Sequence, residues 1–110
     1  MIRGKYKNQK TVVDGITFDS KAEAERYEQL RRQELCGFIH DLERQKKYVL
    51  CKGRWDNGRL FSISYIADFV YVMDGKTVVE DVKGYKTDVY ELKKKLMKAV
   101  YGIEISEVHK

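Results

Sequence analysis

The chain has 110 residues, enough for one domain with a single core, and 43% of them are hydrophobic. A formal net charge of +5 and a pI near 9.1 favour anionic partners, with nucleic acid foremost and a merely soluble basic protein as the plain alternative. No apolar run reaches membrane-spanning length, and the first ten residues are too polar for a secretory signal. Cys36 and Cys51 lack metal-type spacing and read as reduced, small apolar residues of a cytoplasmic protein.

Residues 1–10 carry Arg3, Lys5, Lys7 and Lys10 and no acid, so a mobile basic segment is expected, either a solvated tail or one ordered against phosphates. Thr11-Val12-Val13, Asp14-Gly15 and Ile16-Thr17-Phe18 read as a short hairpin that must pack on the rest of the chain or on a second copy. A first helix is predicted from Ser20 to Cys36. Ser20 is a good N-cap, Glu23 completes a capping-box pattern, and Gly37 is a suitable C′ residue. Its core stripe contains Ala24, Tyr27 and Leu30. Glu23 lies one turn before Tyr27 on that side, whereas Glu25 falls on the wet face. Glu23 is thus either the cap partner of Ser20 or a carboxylate aimed inward.

Phe38 to Leu42 reads as a connector, followed by polar Glu43–Lys47. A three-strand antiparallel meander is then predicted over roughly 46–54, 59–73 and 76–83. Asn57-Gly58 is taken as its first two-residue turn, pairing Trp55 with Leu60 and bringing Leu50 near Tyr65; Asp74-Gly75 is the second. Residues 65–73 and 77–82 are apolar on both faces, which predicts central strands covered on both sides. A second helix follows Gly84-Tyr85-Lys86, capped by Thr87 or Asp88, with Val89, Leu92, Leu96 and Ala99-Val100 as its expected buried stripe and Gly102 as its stop. Ile103-Glu104-Ile105 suggests a last short strand joining the sheet in parallel after the crossover.

The chemistry concentrates in Ile66–Gly84. A two-residue turn at Asp74-Gly75 sets Met73 against Lys76 and hence Asp68 against Asp81, with Cβ atoms about 4.5–5.5 Å apart. Lys83 shares their face because the strand period is two. Like charges directly opposite are destabilising, so stability alone does not account for the pair; a hard divalent cation such as Mg²⁺ would. The competing reading places one aspartate in solvent at a strand end. Glu80 points to the opposite face and is excluded; Gln45 precedes the meander and could touch the site, but it is not counted among the site residues.

The order helix glutamate (Ser20-Lys21-Ala22-Glu23), strand Asp68, hairpin, Asp81-Val82-Lys83, helix resembles the PD-(D/E)XK nuclease superfamily. The stretches FDSKAEAERY, YIADFVY and VEDVKGYKTDVYELKKKL resemble a small phage- and prophage-borne branch of it, over about Lys10 to Ile105. The residue before the first aspartate is Ala67 where the motif has proline, a position often replaced. The resemblance implies an α+β domain with an αβββαβ core, a mixed sheet flanked by two helices, and an added N-terminal hairpin. It implies Mg²⁺-dependent phosphodiester hydrolysis, with Mn²⁺ as a substitute and no organic cofactor. Asp68, Asp81 and the Val82 carbonyl would hold the metal, and Glu23 would bind it directly or through water. Lys83 would position the attacking water. Lys10, Lys86, Lys93 and Lys94 are the expected contacts to DNA, against the plain reading of a solvated lysine face.

Three functions compete. The first is a DNA endonuclease acting on branched or structured DNA, working as a homodimer with the N-terminal hairpin as a candidate contact. The second is a non-catalytic nucleic-acid-binding module of the same fold. The third is a regulatory protein with a protein partner, for which no residue speaks.

Overall fold

The computed structural model describes residues 10–82 and 87–109. In chain order the elements are β1 (Thr11–Val13), β2 (Ile16–Phe18), α1 (Lys21–Leu35), β3 (His40–Arg54), β4 (Leu60–Met73), β5 (Lys76–Val82), α2 (Asp88–Tyr101) and β6 (Ser106–Val108). The protein is α+β, with β1 and β2 forming a separate antiparallel hairpin. The main sheet has the order β3-β4-β5-β6, antiparallel except where β6 joins β5 in parallel.

Local chemistry explains the elements. Asp14 and Gly15 have φ of 53° and 76°, and Asp74 and Gly75 have 53° and 77°, as two-residue turns of positive φ require. The Ser20 hydroxyl accepts the Glu23 N–H at 3.1 Å, and Thr87 caps α2 by accepting the Tyr90 N–H at 3.1 Å. Gly102, at φ 72°, ends α2. Hairpin β1–β2 packs on its own chain: Phe18 is fully buried against Tyr27, with Val13 and Ile16 beside it, and the Tyr27 O–H donates to Asp14 in the turn. Among the described residues no helix is long and apolar enough to cross a membrane.

The two faces of the sheet are both covered. On one face Tyr27 and Leu30 of α1 pack with Ile39, Phe69, Tyr71 and Val82; on the other Met97 of α2 packs with Tyr48, Leu50, Tyr65, Ala67, Val70 and Val79. β4 and β5 are therefore central, as their two-sided apolar patterns require.

Six expectations are corrected. β3 begins at His40, not near residue 46. It is an edge strand, where charged residues such as Glu43, Arg44 and Lys47 are admissible because one side of its ladder faces solvent. Its turn into β4 has three residues. Trp55 N–H bonds Arg59 C=O, and of Asp56, Asn57 and Gly58 only Gly58 has positive φ, at 88°. That turn shifts the register by one residue, and a bulge between Val49 and Cys51 shifts it again, so Tyr65 pairs with Tyr48 and not with Leu50. Helix α2 is rolled away from its expected stripe: Val89 and Leu92 are 62% and 57% exposed, Ala99 and Val100 are exposed, and Met97 is the buried residue. The Tyr90 O–H bond to Glu107 and the Tyr101 O–H bond to the Val49 carbonyl fix that roll. β6 is Ser106–Val108, while Ile105 enters the core ahead of it. Finally, both cysteines are free but exposed, so neither serves as an apolar filler.

Candidate functional site

The β4–β5 ladder runs from Met73–Lys76 to Phe69–Glu80 in the register that Asp74-Gly75 dictates, and ends there. The next residues along it are Asp68 and Asp81. The Val82 N–H is taken by Asp68 Oδ2 at 2.8 Å, so a side chain stands in for a strand carbonyl where the ladder stops.

The β3–β4 ladder has its own gap at this level. Arg44 pairs with Phe69 and Lys46 with Ala67, leaving Gln45 across from Asp68 without a ladder pair. Gln45 has φ 56°, the left-handed region that a non-glycine residue seldom enters. Both strands change sides here. Phe69 and Tyr71 face α1 while Tyr65 and Ala67 lie under α2, and strict alternation would put all four on one face. On β3, Arg44 stacks over Phe18 on the α1 side, whereas Tyr48 lies under α2. The sheet is thus locally opened around Asp68, and the first turn of α1 delivers Glu23 to the opening. Gln45 Nε2 donates to Glu23 Oε2 at 3.1 Å. The hydrogen bond that closes the Ser20 cap comes from the Glu23 backbone, so the Glu23 side chain serves the site.

Electrostatics single out the same residues. Burial pushes the Asp68 carboxyl up to about 7; the Val82 N–H opposes this, the neighbouring Glu23 and Asp81 charges add to it, and the Gln45 amide offsets part. Glu23 is raised chiefly by burial, with Arg44 opposing and Asp19 and Asp81 adding. Asp81 is raised by burial and by Glu107, its neighbour on β6, while the Tyr65 O–H, bonded to Asp81 Oδ2 at 2.8 Å, stabilises its charged form. Burial and Asp81 together push the Tyr65 hydroxyl upward, keeping it a donor. Burial thus opposes the ionisation of all three carboxylates, and the charge of Asp81 adds to the shift at both Glu23 and Asp68. Among the described residues, however, no three acidic, histidine or cysteine side chains converge as a ready metal cage.

Glu23, Asp68 and Asp81 are accordingly in electrostatic contact, and Val82 is held by Asp68. Lys83 and Lys86 lie outside the described residues. Lys10 is exposed and Lys93 half-buried, while Lys94 is committed to an ion pair with Glu107 at 3.0 Å. Glu80 belongs to the other face, as expected from strand parity. It is buried in a pair with Arg26 at 2.6 Å and accepts the Tyr71 O–H, whose pKa is pushed up to about 12.

Sequence reasoning left three contributors out of the site. Gln45 was named as able to touch it but not counted in it, because the expected register set it across from Val70 and not Asp68. Tyr65 gave no signal, because its partner Asp81 lies 16 residues further along the chain, on the adjacent strand β5. Arg44 lies within a polar run; its guanidinium is the cation nearest Glu23 in charge effect, and its buried Nε has no hydrogen-bond partner.

A family model described as a protein of unknown function (DUF1064) matches residues 3–108, and the chain belongs to that family. No curated protein matches the chain.

Proposed function

We propose that the protein is a divalent-metal-dependent endonuclease that hydrolyses phosphodiester bonds of DNA, with branched or structured phage or prophage DNA as its substrate. One observation carries this reading: Glu23, Asp68 and Asp81 are gathered at a break in the sheet where burial opposes the ionisation of all three and neighbouring carboxylates add to it. Residues arranged against their own stability in this way point to function.

The donor set fits Mg²⁺. Each aspartate spends one carboxylate oxygen on a fixed donor, Val82 N–H or Tyr65 O–H, and a carboxylate has further acceptor capacity. Mg²⁺ keeps several waters and needs only one or two carboxylates, so a cage of three is not required. Asp68 and Asp81 would hold it, with Glu23 direct or through water and the Val82 carbonyl alongside; Mn²⁺ would substitute. When bound, such an ion acidifies a water and polarises a phosphoryl oxygen. The chain's own groups do the rest. Gln45 holds Glu23, Tyr65 holds Asp81, Arg44 offers positive charge beside Glu23, and Lys83 is assigned the attacking water. Two copies working as a pair would address both strands. The cytoplasm suits exposed, free Cys36 and Cys51.

The test is incubation of linear, nicked, flapped and four-way DNA with Mg²⁺ or Mn²⁺. Cleavage is expected for the native chain and its loss for Asp81→Ala and Lys83→Ala; undiminished rates in those variants would remove the assignment. A second reading is a binding module without catalysis, which the net charge of +5 suits equally well. Metal-independent, steeply salt-dependent DNA binding with no cleavage would select it.

A further inference from the structure

Beyond the catalytic opening, the outer part of the β3–β4 hairpin stands apart from the rest of the protein. From Cys51 to Ser64 not one residue belongs to either core cluster, and Trp55 and Leu60 are 59% and 72% exposed. An isolated two-stranded ribbon is marginal in water, so a partner is to be expected.

The chemistry of that ribbon specifies the partner. It carries Lys52, Arg54 and Arg59 against Asp56 alone. Its tip holds a prepared aromatic surface. Gly53 pairs with Phe61, and a Cβ at Gly53 would lie 2.3 Å from the Phe61 ring, so the missing side chain is what lets Phe61 fold across the ribbon. Phe61 in turn props Trp55, with ring centroids 4.8 Å apart. Arg54, Trp55, Asp56 and Asn57 line a shallow recess at the end. The turn is fixed from within, by Arg59 N–H to Asn57 Oδ1 at 2.9 Å and the Arg54 guanidinium to Gly58 C=O at 3.3 Å. An aromatic platform among cations is the combination that takes up single-stranded nucleic acid, by base stacking and phosphate contact.

We infer that the Cys51–Ser64 ribbon is a nucleic-acid-binding arm: Trp55 stacks on an unpaired base while Lys52, Arg54 and Arg59 meet the flanking phosphates. The arm selects DNA with unpaired nucleotides and delivers it to the opening around Asp68. The inference rests on the reading of the substrate as nucleic acid, but on none of the catalytic residues.

Trp55 is the chain's one tryptophan, so its emission reports the arm directly. The native protein in EDTA, where no cleavage proceeds, is titrated with oligothymidylate and with a blunt duplex, while anisotropy of labelled DNA measures binding. Saturable quenching of Trp55 by oligothymidylate, weaker with the duplex, is expected. Trp55→Ala should bind about 5- to 150-fold more weakly, the loss of one base–aromatic stack. Lys52→Ala/Arg54→Ala/Arg59→Ala should lower the salt slope by about 2, at about 0.7 per phosphate contact on a single strand. DNA binding that leaves Trp55 emission unchanged, equal affinity in Trp55→Ala, or no binding in EDTA would overturn the arm. So would a native dimer that Trp55→Ala converts to monomer, since the ribbon would then be a subunit interface. Quenching without cleavage in Mg²⁺ would keep the arm and remove the nuclease; cleavage with unchanged KM in Trp55→Ala would do the reverse.

Discussion

The two hairpins of the main sheet share strand β4 and differ in almost everything else. The inner one, β4–β5, turns at Asp74-Gly75, is covered on both faces, and ends at the carboxylates. The outer one, β3–β4, turns at Asp56-Asn57-Gly58, carries a bulge and a left-handed Gln45, and runs out past the core. One strand thus passes from an exposed half to a buried half, and the acids lie in the buried half beside the point where pairing is interrupted. The contrast teaches that this sheet packs its core where pairing is regular and gathers its buried carboxylates where pairing is interrupted. Stability and function should therefore respond to different substitutions.

The largest effect on activity is expected at Asp68, and it should run opposite to stability. Asp68→Asn keeps an oxygen for the Val82 N–H and removes a charge that burial and two neighbouring acids oppose. Cleavage should fall by about a hundredfold or more, while denaturant unfolding at pH 8 shows a protein as stable as the native one or more so, by about 1–2 kcal/mol. A loss of both would make Asp68 a structural residue. The largest effect on stability belongs to the inner hairpin's core: Phe69→Ala, at a fully buried ring, should cost about 3–5 kcal/mol.

Acidity offers the next test. Burial raises the Asp68 carboxyl to about 7 from its ordinary value of 3.8. The unfolded chain gives up this proton near pH 4 and the folded chain near 7, so between those values the folded state holds more protons. Stability of the metal-free protein therefore falls as pH rises through that window, by at most a few kcal/mol from this group, and levels off above it. Urea midpoints from pH 4.5 to 8 check the direction. A metal held by the ionised form should offset the fall at the upper end.

Gln45 separates strain from chemistry. Gln45→Ala and Gln45→Gly both delete the amide that holds Glu23, and both should slow cleavage by about 10–100-fold, as loss of an outer-shell partner does. At φ 56° glycine is unstrained and alanine is not, so the glycine variant should be the more stable by about 1 kcal/mol. Equal stabilities would mean that the left-handed backbone costs nothing.

Much of the inner hairpin was legible beforehand. Asp74-Gly75 alone dictates the register, and Asp68, Asp81 and the opposite-facing Glu80 follow from it, as does the covered character of β4 and β5. The capped ends of both helices and the β1–β2 turn were equally plain, because each depends on contacts a few residues apart. The outer hairpin was not. An Asn-Gly pair suits a two-residue turn, but Gly58 can also close a three-residue one, and the choice is settled by strand twist and by a bulge that no local residue announces. The resulting slip concealed that Gln45 lies across from Asp68. The roll of α2 was hidden for a related reason, since Tyr90 and Tyr101 orient it through hydroxyl bonds to Glu107 and Val49, distant in sequence.

The smallest expected effect makes the comparison sharpest. Leu60 lies on the same strand as Phe69 and is a large aliphatic residue, yet it is 72% exposed and outside both core clusters. Its pairing with Arg54 fixes the backbone and leaves the side chain little to bury. Leu60→Ala should therefore change unfolding free energy by no more than about 0.5 kcal/mol, as at an ordinary surface position. A cost approaching that of Phe69→Ala would show that the outer half of β4 is buried in solution by something the isolated chain does not supply. The dependence of that cost on protein concentration would then identify a second copy, because unfolding of a dimer shifts with concentration and unfolding of a monomer does not.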